Sequence, residues 1–185
     1  MPSVSPEPEP FRFCPVDGSA LDDPDKEEGS RCPRCGRAWY RNSSPVVGCV
    51  IVHEGKALVT VRGIEPHKGK LDVPGGFLLN GEDPIEGLKR EIREELGIEI
   101  EAGVGDCLAM APHVYAHESD YNLALGFRAR WVSGEPAAAD DVAELRWVSP
   151  EELEKLDFAW EHDRELVRKA LRHEESEESQ GSGPR

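Results

Sequence analysis

Apolar side chains follow strand and helix periods through the middle of the chain and thin out at its two ends. From Pro45, "PVVGCVIVHEGKALVTVRG" sets two runs rich in Val and Ile on either side of Glu54-Gly55, which predicts two strands joined by a tight turn. Further β-rich segments fall at about 98–111, 121–132 and 143–148. Between them Ile85, Leu88, Ile92 and Leu96 recur at spacings of 3, 4 and 4, one apolar stripe of a helix that must face a core. Asp83 is a good N-cap, Pro84 suits the first helical position, Glu86 completes a capping box and Gly97 is the expected C′ residue, so this helix spans 84–96. Ser149, Pro150 and Glu152 start another helix, and a last amphipathic one covers about 160–173. Strands flanking a central helix, with more helices at the end, predict an α/β sandwich with a mixed sheet between helices.

The ends read differently. Residues 1–10 alternate Pro with Ser, Glu and Val, and 174–185, "EESEESQGSGPR", hold no apolar side chain, so both are expected to be disordered. Residues 11–42 form a short, loop-rich, cysteine-bearing segment, and the main domain occupies 43–173.

Composition narrows the function. The 185 residues suffice for one ordinary domain and a small appendage. With 22 Lys and Arg against 37 Asp and Glu, the formal charge of −15 argues against a broad grip on a nucleic-acid polymer or an anionic membrane. No run of about 18 apolar residues exists, and the N-terminus lacks both the basic start and the apolar stretch of a secretory signal, so a cytoplasmic protein is expected. Five cysteines, three of them in the first 35 residues, suit metal ligation better than a disulfide framework.

The helix at 84–96 places Glu91, Glu94 and Glu95 at i, i+3 and i+4 beside the apolar stripe. Each like-charged pair costs roughly 0.2–0.5 kcal/mol in an exposed helix, and more when half buried. One reading is a solvated, Glu-rich surface. The other is a site for a hard divalent cation, Mg²⁺ or Mn²⁺, because Arg90 alone leaves several carboxylates uncompensated. The preceding "DVPGGFLLNGED" favours the second, since Gly75-Gly76 lets backbone carbonyls approach a metal.

Gly76, Glu82 and "REIREELGI" at 90–98 stand at the spacing G-x5-E-x7-R-E-U-x-E-E-x-G-U, where U is apolar, and the stretch resembles the signature box of Nudix hydrolases at every defined position. The resemblance extends over about 45–160 and implies Mg²⁺-dependent hydrolysis of a nucleoside diphosphate linked to another group. It implies that Glu91 and Glu95 are the principal metal ligands, with Glu94 as a further ligand or water-positioning group, the Gly76 carbonyl in the shell, and Glu82 and Arg90 orienting the box. The general base in this family often lies on a later loop. Asp141 is the first candidate, followed by Asp140 and Glu144, with Glu118 and Asp120 as the runners-up. Cations for substrate phosphates are expected from Arg62 first, with His67, Lys68 and Lys70 nearby, and His113 or His117 assisting; Tyr115, Tyr121, Trp39 or Tyr40 would stack on a base.

"CPRCG" at 32–36 has the two-residue spacing of a zinc knuckle, and "CPVDG" at 14–18 repeats the frame with Asp17 in place of the second cysteine. This resembles the ribbon that precedes the catalytic domain in NADH diphosphatase-like Nudix proteins. Cys14, Asp17, Cys32 and Cys35 would close a structural Zn²⁺ site; the alternative is a ribbon that keeps its shape by packing without metal. Cys49 and Cys107 read as small buried hydrophobes. The Ser-Gln-Pro-Trp-Pro-Phe-Pro segment of NADH diphosphatases is absent, which counts against that activity in its strict form, and a ribbon without the segment also resembles the ADP-ribose and FAD pyrophosphatase branch. The expected substrate is a dinucleotide or sugar nucleotide of the ADP-ribose, NADH or FAD type. Nucleoside triphosphate sanitising and non-catalytic nucleotide sensing are the alternatives, and a homodimer is an expectation from relatives.

Overall fold

In the computed structural model, which describes residues 12–22, 29–40, 42–116 and 121–181, the chain divides into two units. The smaller comprises the described residues of 1–44 and 113–122, the larger those of 45–112 and 123–185. The expected disorder at 1–10, and the candidates His117, Glu118 and Asp120, lie outside the described residues.

The smaller unit carries two short antiparallel strands, β1 (Ser30–Arg31) and β2 (Ala38–Trp39), with Ser30 opposite Trp39. Its apolar centre is Cys14, Leu21 and Cys32, against which Trp39 packs. The turns after Cys14 and Cys32 repeat one backbone pattern. Gly18 N donates to Cys14 O as Gly36 N does to Cys32 O, and Cys14 N donates to Ser19 O as Cys32 N does to Arg37 O. Gly18 and Gly36 both sit in the left-handed region, φ 71° and 73°, which side chains resist. The knuckle with Asp17 therefore has the frame of the knuckle with two cysteines.

The larger unit is a layered α/β fold. Its sheet contains β3 (Ser44–His53), β4 (Lys56–Arg62), β7 (Glu99–Glu101), β9 (Tyr121–Ser133) and β10 (Val142–Val148) in the order β10-β4-β3-β9-β7. The short strands β5 (Leu71–Asp72) and β6 (Gly75–Phe77) pair with β4 and β3, and β8 (Cys107–Val114) pairs with β9. Alternate residues of β3 and β4 serve two cores. Val47, Cys49, Ile51 and Leu58 pack with Leu88, Ile92 and Leu96 of α1 (Pro84–Leu96). Val50, Ala57 and Val59 pack with Leu153 of α2 (Pro150–Leu153) and with Leu166, Val167 and Ala170 of α3 (Glu161–Gly181). Both faces of these strands are covered, which is why their sequence is nearly all apolar instead of alternating.

Three local expectations are corrected. Asp83 caps α1 by accepting from Ile85 N and Glu86 N, but Glu86 pairs with Lys89 at 2.8 Å instead of closing a capping box. The predicted strand at 98–111 is interrupted by a 3₁₀ turn at Val104–Asp106. The last helix continues from Glu161 to Gly181, into the segment expected to be disordered. Adding a residue to an established helix gains a hydrogen bond for little further ordering, and Glu and Gln are good helix formers.

Candidate metal and diphosphate site

Two pieces of backbone and one side chain converge on the glutamates of α1. The first is the turn from β5 into β6. Gly75 takes φ 146° with its Cα so close to β3 that a Cβ would lie 2.0 Å from Val47 O, so no other residue fits. Its N–H donates to Glu95 Oε2 at 2.8 Å. A Cβ on Gly76 would stand 2.6 Å from the Glu91 carboxyl carbon, so the absence of a side chain lets the loop meet that carboxylate.

Arg90 supplies the second piece. Its Nε and Nη2 donate to the two Glu82 oxygens at 2.8 and 2.9 Å, its Nη1 donates to Glu91 at 2.7 Å and Glu94 at 3.0 Å, and Nη2 reaches Phe77 O at 3.2 Å. Glu82 also accepts from Leu79 N at 2.8 Å. A bidentate fork of this kind fixes both partners in plane. Hydrogen bonds from Arg90 and Leu79 hold the Glu82 carboxyl well below the usual range, as befits a permanently ionised strut.

The third piece is the loop between β9 and β10, which runs along the C-terminal turn of α1. Ala137 N donates to Leu96 O at 3.0 Å and Ala139 N to Glu95 O at 2.9 Å, while Asp141 O accepts from Gly63 N at 2.7 Å. These bonds place Asp141 within electrostatic reach of Glu95. Asp140 and Glu144, by contrast, are exposed.

The electrostatics of the cluster are those of anions short of a counter-charge. Glu95 is 7% exposed. Burial, with smaller contributions from Asp141, Asp72 and Glu91, pushes its carboxyl up to about 9 against the opposing Gly75 N–H. Burial also raises Glu91, opposed by Arg90 and reinforced by Glu94 and Glu82. Glu94 is half exposed. Buried carboxylates at helical spacing beside a side-chain-free loop are a donor set for a hard divalent cation.

Arg62 does not have the place expected of a phosphate-binding cation. Its side chain is only 10% exposed and pairs with Asp72 at 2.6 Å, while Nε donates to Pro66 O and the guanidinium lies over the Trp160 ring. Lys70 is paired with Asp157 at 3.3 Å on the surface. His67 and Lys68 are exposed, the former edge-on to Trp160. Tyr115 is half-buried in the smaller unit. The sequence reading missed Asp72 and the buried Asp163; the apolar-to-acid step "KLDVPGG" is the one local signal for the former.

In the smaller unit Cys14, Asp17, Cys32 and Cys35 gather with ligand atoms within 4.8 Å of one another, a cluster capable of holding a metal ion. Cys14 Sγ and Cys35 Sγ are 3.7 Å apart, and Cys32 Sγ stands 3.5 and 3.7 Å from the Asp17 oxygens. The edges of a tetrahedron with zinc bond lengths are about 3.8 Å for S–S and about 3.6 Å for S–O. Against the upward push of burial, donors led by the Cys35 N–H bring the Cys32 thiol down to about 7, which favours the thiolate a metal needs. Asp17 accepts from both the backbone N–H and hydroxyl of Ser19, which hold it ionised.

Comparison with known proteins agrees with this geometry. The model of the NUDIX domain matches residues 43–170. The NAD-capped RNA hydrolase NudC of Pseudomonas aeruginosa is 31% identical over 148 residues, covering 78% of this chain and 50% of that protein. The NAD-capped RNA hydrolase ndx-9 of Caenorhabditis elegans is 35% identical over 95 residues, covering 50% of this chain and 25% of that protein. The chain thus spans about half the length, or less, of these relatives. A NUDIX hydrolase from Nitrosomonas europaea shares the fold with a TM-score of 0.68 at 24% identity, over 90% of this chain and 93% of that one. Since that domain match takes in α1, the glycine turn and the acidic loop together, the chain belongs to the Nudix hydrolase family.

Proposed function

We propose that this protein is a Mg²⁺- or Mn²⁺-dependent pyrophosphatase that splits the diphosphate bond of a nucleoside diphosphate linked to another group, of the NADH, ADP-ribose or FAD type, and releases a nucleoside monophosphate. The observation that carries this reading is the buried Glu95, held by Gly75 N–H and surrounded by Glu91, Asp72 and Asp141, with no cation paired to it among the described residues. Glu91 and Glu95, with Glu94 and the Gly76 carbonyl, would hold the metal. The chemistry such a cation would supply there is neutralisation of phosphoryl oxygens and acidification of a water. Arg90 and Glu82 keep the glutamates aligned. Asp141 takes the proton of the attacking water as the new P–O bond forms and the anhydride P–O bond breaks, leaving two phosphate esters or their equivalents.

Relatives that act on NAD-capped RNA support an NAD-like diphosphate as the substrate class. The charge of −15 favours the small dinucleotide over an RNA polymer. In the smaller unit, the tetrahedral spacing supports a structural Zn²⁺ on Cys14, Asp17, Cys32 and Cys35.

The deciding experiment measures monophosphate release with each metal from NADH, NAD, ADP-ribose, FAD, nucleoside triphosphates and NAD-capped RNA, beside Glu95→Gln. Cleavage of a dinucleotide that disappears in a folded Glu95→Gln protein supports the proposal. Preference for a triphosphate, or no turnover with either metal, sinks it.

A further inference from the structure

Three charged side chains from separate elements meet inside the larger unit: Arg62 at the end of β4, Asp72 at the end of β5 and Asp163 in the first turn of α3. Their side chains are 10%, 15% and 5% exposed. Arg62 Nη1 donates to Asp72 Oδ2 at 2.6 Å, and Val73 N donates to Asp72 Oδ1 at 2.8 Å. Asp163 lies within hydrogen-bonding range of Asp72, and its Oδ1 is 3.2 Å from His162 Nε2. Its other oxygen, Oδ2, is buried with no donor among the described residues.

We propose that Asp163 works as a neutral carboxylic acid, donating its proton to Asp72, and is thereby a positioning residue for the strand that leads into the Gly75-Gly76 turn of the metal site. This rests on the diphosphatase reading for its functional part only. A proton shared between the two carboxyls replaces a repulsion of two acceptors by a donor and an acceptor. It also removes one of two buried anions that share a single guanidinium. The two carboxyls are not equivalent. Asp72 already receives Arg62 and Val73 N–H, donors that stabilise its ionised form, whereas among the described residues the side-chain donor beside Asp163 is His162 Nε2, on its other oxygen. The proton therefore belongs to Asp163.

The charged groups facing the pair agree. Arg62 approaches from β4, His162 from α3 itself, and the buried carboxyl of Glu95 on α1 lies within electrostatic reach of Asp72. Burial first, then the neighbouring Asp72, raises the Asp163 carboxyl well above the ordinary range, with Arg62 opposing. The link to the site is short. Asp72 binds the amide of Val73, Pro74 O accepts from Cys49 N at 3.0 Å, and Gly75 N is the donor to Glu95. Through Asp72, α3 thus anchors the start of the turn on which the metal ligands close.

The test joins a spectrum to a pair of variants. In the whole protein with ¹³Cγ-labelled aspartate, resonances assigned by Asp72→Asn and Asp163→Asn, we expect Asp163 to show the shift of a neutral carboxylic acid from pH 5 to 8 and Asp72 that of a carboxylate. Two carboxylate signals, or a neutral Asp72, overturn the assignment whether or not the enzyme turns over. In kinetics on the best dinucleotide, Asp163→Asn, whose amide N–H replaces the donated proton, is expected within about threefold of wild type in kcat, while Asp163→Ala falls about tenfold or more with KM within about twofold. Equal loss in both variants, or loss confined to KM, overturns the positioning role. An inactive wild type with the expected spectrum sinks the diphosphatase reading but leaves the proton on Asp163.

Discussion

The Cα of Gly76 faces the Glu91 carboxyl so closely that a Cβ there would lie 2.6 Å from its carbon and from one of its oxygens. A methyl group cannot be added unless one side gives way, and Glu91 is the side held by Arg90. Gly76→Ala should therefore fold, because the steric conflict is with a side chain, yet lose about 10²-fold in kcat through misplacement of the glutamate. Circular dichroism and an Mn²⁺ titration of the variant separate the two effects: unchanged metal affinity and rate would refute this account.

Glu95 makes the protein without divalent cation sensitive to alkali. Its carboxyl holds its proton up to about 9, against 4.5 in the unfolded chain. Between those values the unfolded chain has released the proton and the folded chain has not. This contribution to stability is complete below the lower value and is lost as pH rises through the upper one. In chelator, the melting temperature of wild type should fall from pH 6 to pH 9 more steeply than that of Glu95→Gln. Saturating Mg²⁺ should raise the wild-type value and not the variant's, and binding should release a proton detectable by calorimetry in two buffers. Parallel pH profiles would count against the assignment.

Arg90→Lys tests the fork. A lysine supplies a point charge but cannot span both Glu82 oxygens while reaching Glu91 and Glu94. We expect a loss of about 1–3 kcal/mol in chemical denaturation and a weaker response of rate to Mg²⁺. A variant with wild-type stability and metal response would show that the fork is dispensable.

Asp141→Asn removes the proposed proton acceptor without changing the loop's backbone bonds. The expected loss in kcat is about 10²–10⁴-fold, with the acidic limb of the pH–rate profile altered and KM little changed. If Asp141→Asn retains full rate, the base lies elsewhere.

Asp17→Cys completes a four-thiolate set on a knuckle that already has the frame of its partner. Zinc should bind at least about tenfold more tightly than in wild type, and Asp17→Ala should bind more weakly, as read by competition with a chromogenic chelator. Identical affinities would place Asp17 outside the metal shell.

The parts of this fold legible in the sequence are those governed by local rules. Asp83, Pro84 and Gly97 bound α1 because caps act over one turn, and Leu88, Ile92 and Leu96 are fully buried as their spacing requires. The glutamate cluster was legible for the same reason. Glu86 was misassigned because Lys89, one turn on, competes for its carboxylate. The pairing of Arg62 was not legible because nothing near it in sequence announces Asp72, ten residues away, as its partner. Asp163 was invisible altogether: an acid in the first turn of a helix is ordinary, and only the packing of α3 reveals that this one is buried.

The loop after β9 hangs from carbonyls of the same helical turn that carries Glu95. Its side chains, chiefly Pro and Ala at 136–139, contribute little, so mutational drift there should be tolerated. Its length is another matter. Inserting or deleting one residue between Ala137 and Asp141 would break the match between two backbones and carry the acid away from the cluster, so the length of this loop should matter more to the site than its side chains do.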